Sequence, residues 1–162
     1  MGRVVPRGDI GALCRALKAE GKRIVFTNGC FDILHRGHTD YLGRARALGD
    51  RLLVGLNTDR SVRALKGASR PIVPEEDRAA VLAALAAVDF VCLFDEDTPY
   101  ELIAEVRPDV LVKGAGYTRD TIVGADLVEA AGGRVVALEE LPGRATRSII
   151  ERILQGGGRA RD

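Results

Sequence analysis

The sequence predicts an α/β protein built on a doubly wound parallel sheet. Short apolar runs suited to buried strands recur along the 162 residues, and stretches with helical spacing alternate with them. The runs are apolar throughout rather than alternating, the pattern of strands covered on both faces. About five strands are expected from this pattern. With no internal repeat and no linker, one domain is expected over residues 9–155, with flexible termini at 1–8 and 156–162.

Taken in order, Met1 to Gly8 is polar, contains Pro and Gly, and reads as an unpacked lead-in. Asp9 can cap a helix carrying Ile10, Leu13, Cys14 and Leu17, which Gly21 closes. Arg23 to Thr27 is a buried strand, followed by a glycine-containing loop from Asn28 to Gly37. Tyr41, Leu42, Ala45 and Leu48 mark the next helix, which Gly49 ends. Leu52 to Leu56 is a strand, and Thr58 or Asp59 caps a short helix with Val62 and Leu65. A loop from Gly67 to Pro74 breaks the chain. Pro74 then suits a first helical turn rich in Glu75, Glu76 and Asp77, opening an Ala-rich helix to about Val88. Phe90 to Phe94 is a strand, Thr98-Pro99 opens a helix that Pro108 stops, and Val110 to Val112 is a strand. Asp126 to Ala131 is a helix ended by Gly132-Gly133, Val135 to Leu138 a strand, and Thr146 to Leu154 a last helix before a loose glycine tail.

Composition narrows the function. Lys and Arg number 24 against 23 Asp and Glu, a formal charge of +1, which argues against a bulk nucleic-acid binder. Hydrophobic residues make up 46% but aromatics only 4%, so aliphatic side chains and Ala must fill the core. Cys14 and Cys92 read as small core residues, and Cys30 as packing rather than a nucleophile. The odd cysteine count and the spacing offer no metal knuckle and fit a reducing cytoplasm. No secretory leader and no apolar run of membrane-spanning length is visible, so no membrane partner is expected.

The chemistry concentrates in Thr27-Asn28-Gly29-Cys30-Phe31-Asp32-Ile33-Leu34-His35-Arg36-Gly37-His38, which leaves the first strand and enters a helix. Both histidines of the chain lie here. Two glycines let backbone N–H groups approach phosphate oxygens, the helix N-terminus adds its positive end, and the imidazoles supply directional donors. The plainer reading makes Asn28-Gly29 an ordinary turn and His35 and His38 surface or capping residues. Their concentration at the ligand-binding edge of a parallel sheet favours an anion cradle.

This stretch resembles the HxGH signature of the nucleotidyltransferase superfamily. Lys66-Gly67-Ala68-Ser69-Arg70-Pro71 and Asp95-Glu96-Asp97-Thr98-Pro99 sharpen the resemblance towards its heptose 1-phosphate adenylyltransferase branch, as do Gly49 to Leu52, Asn57-Thr58-Asp59 and Leu111-Val112-Lys113-Gly114. It covers roughly residues 9–155. It implies a Rossmann-like fold and transfer of AMP from ATP to a sugar 1-phosphate, with release of pyrophosphate and Mg2+ carried by ATP. It further implies His35, His38 and Lys66 as catalytic residues. Thr27, Asn28, Gly29, Cys30, Phe31, Gly37, Arg78, Lys113, Gly114, Thr146 and Arg147 are then the nucleotide and phosphate contacts, and Asp32, Asn57, Asp59 and Arg70 face the acceptor.

Without the resemblance, Arg78 is an ion pair of an acidic helix turn, Lys66 either a solvated helix end or a reach to a phosphate, Arg70 either a solvated loop residue or one that closes over substrate, and Asp32 a loop-bracing carboxylate rather than a metal ligand. Lys113, a charge ending an apolar strand at the ligand edge, favours function by itself. The sequence departs from the family at Ala145-Thr146-Arg147, where hydroxyl residues are usual, and at Gly116, where an acidic residue often stands. The resemblance also suggests a homodimer, and with 162 residues holding no kinase domain, a separate heptose kinase upstream. Two other readings share these residues: a cytidylyltransferase acting on glycerol 3-phosphate or another polyol phosphate, and a nucleotide-binding module without catalysis.

Overall fold

In β2 (Ile24–Gly29) side chains alternate between two cores, as the period of an extended strand requires. Ile24 and Phe26 join one cluster with Leu53, Cys92 and Leu111, whereas Val25 joins the other with Leu52, Val54, Val91 and Val112. Both faces of the sheet are therefore apolar, and helices must cover both.

The computed structural model describes residues 1–114, 116, 121–139 and 141–156. After β2 come α2 (Arg36–Arg46), β3 (Arg51–Asn57), α3 (Asp59–Lys66), α4 (Glu75–Ala84), β4 (Phe90–Phe94), α5 (Tyr100–Val106), β5 (Val110–Gly114), α6 (Ala125–Ala130), β6 (Arg134–Leu138) and α7 (Thr146–Gly156). Before it stand β1 (Arg3–Val4), a 3-10 turn at Arg7–Asp9 and α1 (Ile10–Ala19). Ile10, Cys14 and Leu17 of α1, Leu102, Ile103 and Val106 of α5, and Val128 of α6 close one face. Leu42 and Ala45 of α2 with Ala79, Leu82 and Ala83 of α4 close the other. Cys14 and Cys92 sit within the first core, as small apolar residues do.

The sheet has six strands in the order β1-β4-β3-β2-β5-β6, and every pairing is parallel. From β2 the chain winds outwards through β3 to β4, then returns to place β5 on the other side of β2. The strand order reverses between β2 and β5, and in open parallel sheets ligands bind beyond the carboxyl ends of the strands at such a point.

Six strands replace the expected five because the lead-in is not unpacked. Val5 is buried, Arg3 pairs with Phe90, and the Val5 N–H donates to the Val91 carbonyl at 2.8 Å. Gly2 passes so close to α4 and β4 that a Cβ there would lie 2.3 Å from the Val88 carbonyl oxygen. A two-residue strand has no periodicity to read. The helix expected to reach Val88 stops at Ala84, because Leu85 turns extended to lead the chain into β4. The helix expected near Tyr41 begins earlier, at Arg36, inside the signature. Of the tail expected to be loose, Gly156 closes α7 and residues 157–162 lie outside the described residues.

Candidate active site

The signature leaves β2 and turns into α2 through a strained loop. Phe31 and Ile33 both take left-handed backbone angles, φ 45° and 53°. Non-glycine residues there cost roughly 1–2 kcal/mol each and persist only where the surroundings hold them. His35 then caps α2: its Nδ1 accepts the Gly37 N–H at 3.1 Å, while Nδ1 of His38 accepts the His35 N–H at 3.4 Å. This is a reciprocal capping box made of two imidazoles. An Nδ1 that accepts a hydrogen bond carries no proton, so the pattern assigns the proton of each neutral ring to Nε2.

The two rings stack with centroids 3.9 Å apart and planes 25° apart, and the Phe31 ring lies 5.4 Å from His38. Burial, and secondarily the neighbouring His35, push the His38 pKa down to about 4, which keeps its ring neutral at physiological pH. Gly37 is required here: a Cβ at this position would lie 2.9 Å from Cε1 of His35 and 3.2 Å from Cβ of Arg144. Thr27, at the base of the loop, shares a 2.8 Å hydrogen bond with the Tyr41 hydroxyl. Tyr41 reads in the sequence as an apolar helix position. Its place one turn after His38, in a chain with only three tyrosines, is the signal for its polar role.

Across the switch point, Lys113 at the end of β5 meets Asn28 at the end of β2, its Nζ on the Asn28 Oδ1. Extending the Val25–Val110 and Phe26–Leu111 register places these two residues opposite each other. Lys113 is only 8% exposed, and burial pushes its pKa down to about 8. A lysine held this way gains by meeting an anion. Gly114 follows it, half-buried, at the strand end.

Other residues expected to face ligands are engaged within the protein. Arg78, 2% exposed, donates to the carbonyls of Cys30 (2.7 Å), Asn57 (2.9 Å) and Val73 (2.9 Å) and to the Asp59 carboxylate (2.7 Å). The expected phosphate contact is thus a tie between β2, β3 and α4. Asn57 is buried with its amide on Ser61, and Thr58 caps α3 by accepting the Ser61 N–H. Asp32, also 2% exposed, accepts the Ile72 and Val73 N–H groups and Nε of Arg70. Burial alone would raise its pKa, but the two backbone donors and Arg70 outweigh that and hold it low. Asp32 therefore braces a loop, and Arg70 is latched to it rather than solvated. Thr146 opens α7 instead of capping it, and its hydroxyl donates to the Asp32 carbonyl at 2.8 Å.

Cys30 is half-buried, and burial pushes its thiol up, only partly countered by the charges of Lys66, Arg78 and Arg70. A raised thiol is no nucleophile. Lys66 ends α3 exposed, near enough for its charge to reach Cys30, and Arg147 is exposed on α7. Among the described residues no group of three His, Cys, Asp or Glu side chains is disposed to hold a metal ion. Nor is any helix among them long and apolar enough to cross a membrane.

A cytidylyltransferase-like family model matches residues 26–152, from within β2 into α7 and so across the whole site. The chain belongs to the cytidylyltransferase-like family. Its six parallel strands and covering helices make it Rossmann-like in fold. It is 59% identical over 137 residues to the bifunctional protein HldE of Syntrophotalea carbinolica, covering 85% of this chain and 28% of that protein. With the HldE of Pelobacter propionicus the identity is 53% over 153 residues, or 94% of this chain and 31% of that protein. The chain thus spans less than a third of the curated relatives it matches. A lipopolysaccharide core biosynthesis protein from Thermoplasma volcanium superposes with a TM-score of 0.59 at 31% identity, over 75% of this chain and 98% of that one. Pantoate-beta-alanine ligase from Francisella tularensis, at 13% identity and a TM-score of 0.62 over 96% of this chain and 78% of that one, shares the fold.

Proposed function

We propose that this chain transfers AMP from ATP to a sugar 1-phosphate, heptose 1-phosphate in particular, and releases pyrophosphate. The observation that carries the proposal is the pair of stacked imidazoles at the head of α2, each with Nδ1 taken by a backbone N–H and its proton on Nε2. Such donors are built for phosphate oxygens. They are fixed before the ligand arrives, so no reorganisation is needed as charge develops. A phosphate oxygen of the acceptor attacks the α-phosphorus in line. The new P–O bond forms as the α–β bridging bond breaks, and the electron pair leaves on pyrophosphate. His35 and His38 steady the charge on the transferring and leaving phosphates. Asn28, Gly29 and Lys113 hold the nucleotide at the switch point, and Lys66 guides the acceptor from the end of α3. Arg147 offers α7 a full charge towards the nucleotide.

ATP enters as its Mg2+ complex, the ion held by triphosphate oxygens. The acceptor must come from a sugar kinase activity, and the active form is a homodimer. The preference for ATP and heptose 1-phosphate is supported by the HldE relatives and by the segments Lys66 to Pro71 and Asp95 to Pro99.

The test is pyrophosphate release with ATP or CTP against heptose 1-phosphate or glycerol 3-phosphate. Release is expected only with ATP and heptose 1-phosphate. Release with CTP and glycerol 3-phosphate instead would overturn the substrate assignment. ATP binding without turnover on any acceptor would make the chain a binding module.

A further inference from the structure

Asp32 lies between the two strained residues of the signature, Phe31 at φ 45° and Ile33 at φ 53°. Left alone, a loop with two left-handed departures on either side of one residue relaxes. Two segments prevent this through Asp32. Its Oδ2 accepts Nε of Arg70 and the Ile72 N–H, both at 2.8 Å, and its Oδ1 accepts the Val73 N–H at 2.9 Å. Its carbonyl takes the Thr146 hydroxyl of α7. The strain holds the Phe31 ring against His38, which stacks on His35. A chain of contacts therefore runs from the Asp32 carboxylate to the imidazoles without Asp32 touching either ring.

We propose that Asp32 is a positioning residue of the nucleotidyl transfer: it locks the loop conformation that aims the two imidazoles, by clamping the signature to the 70–73 segment and to the head of α7. The catalytic half of this inference rests on the reaction proposed above; the structural half does not. A carboxylate suits the task better than an amide. Both of its oxygens accept, whereas an asparagine offers one acceptor and would set its own N–H groups against a backbone or guanidinium donor.

The chain has only two histidines, and both are in this turn. A long-range 1H–15N imidazole spectrum of the ligand-free protein therefore reports two rings and nothing else. In the unmodified protein both rings should show the Nε2–H tautomer. In Asp32→Asn the two patterns should move towards mixed tautomers. The kcat for pyrophosphate release should fall about a hundredfold, the scale of a misplaced catalytic group, with much less change in KM for ATP. Unchanged ring patterns in a folded Asp32→Asn protein overturn the proposal, whatever the activity. If Asp32→Asn does not fold, Arg70→Leu combined with Thr146→Val removes the ion pair and the carbonyl bond and is read the same way. Ring patterns that respond to Asp32 in a protein that releases no pyrophosphate would sink the reaction and leave the placement of the imidazoles by Asp32 standing.

Discussion

The ordinary pKa of a lysine, 10.5, is pushed down to about 8 at Lys113 by burial. This splits the charge of Lys113 from the stability of the fold. Between about pH 8 and 10.5 the unfolded chain still holds the proton that the folded chain has given up, so the contribution of Lys113 to stability rises with pH across that window. Above about pH 9 the buried Cys14 and Cys92 thiols, pushed up to about 11, act in the opposite direction. Affinity for a triphosphate also falls as Lys113 loses its proton, because the neutral amine attracts the anion less. We predict that kcat/KM for ATP, which reports the free enzyme, declines above about pH 8, while thermal stability does not decline between about pH 8 and 9. In Lys113→Gln that limb should vanish, and kcat/KM at neutral pH should be lower by about tenfold or more, the weight of one hydrogen bond to a charged group. A pH series of initial rates beside melting curves decides it. A limb that survives in Lys113→Gln would assign the titration to another group. His38 resembles Lys113 in mechanism, for burial again disfavours its charged form, but its consequence is the reverse: the proposed role needs its neutral ring as a donor.

At the level of elements, capping and the proposed phosphate binding are compatible parts of one arrangement. Reading the sequence sets them against each other as alternatives for His35 and His38. In the structure the capping bonds occupy Nδ1 of both rings, and that is what fixes the Nε2 donors. The motif was legible because it is local: spacing, glycines and a strand-to-helix turn lie within one stretch. Asp32 reads in the sequence as a loop-bracing carboxylate and is one, but its partners and those of Arg78 are not legible there, since they lie far along the chain. Arg78 meets Cys30 across 48 positions, and Asp32 meets Val73 across 41. An acidic helix turn hides the ties of Arg78. Arg78 makes a sharp case. As a structural tie, its replacement by Leu leaves three carbonyls and the Asp59 carboxylate without their donor. Breaking a buried pair from one side costs about 3–5 kcal/mol, so Arg78→Leu should lower Tm by roughly 10 °C in a chain of this size. Calorimetry on the ligand-free protein checks this. A nearly unchanged Tm with a large rise in KM for ATP would instead make Arg78 a phosphate ligand.

Across the whole molecule, the switch point between β2 and β5 and the edge formed by β1 lie on different parts of the sheet, with β3 and β4 between them. The alternation of strands and helices announces the sheet and its ligand edge, but the edge strand has only two residues and no pattern of its own. Its contribution is nevertheless measurable. Val5 is buried in the first core, and burying such a side chain stabilises by about 1.5–3 kcal/mol. The N–H groups of Arg3 and Val5 donate to the Asp89 and Val91 carbonyls at 3.1 and 2.8 Å. Deleting residues 1–5 should therefore lower Tm by roughly 5–10 °C. It should leave kcat for pyrophosphate release close to that of the intact chain, since β1 packs on α4 and β4 and both β4 and β3 separate it from β2. The deletion also bares the β4 edge to pairing with other chains, so concentration-dependent aggregation should set in on heating. Calorimetry, light scattering and initial rates on the truncated protein test all three expectations. An unchanged Tm would mean that the β1–β4 pairing contributes nothing, and a collapse of kcat with the fold intact would mean that the two ends of the sheet are coupled.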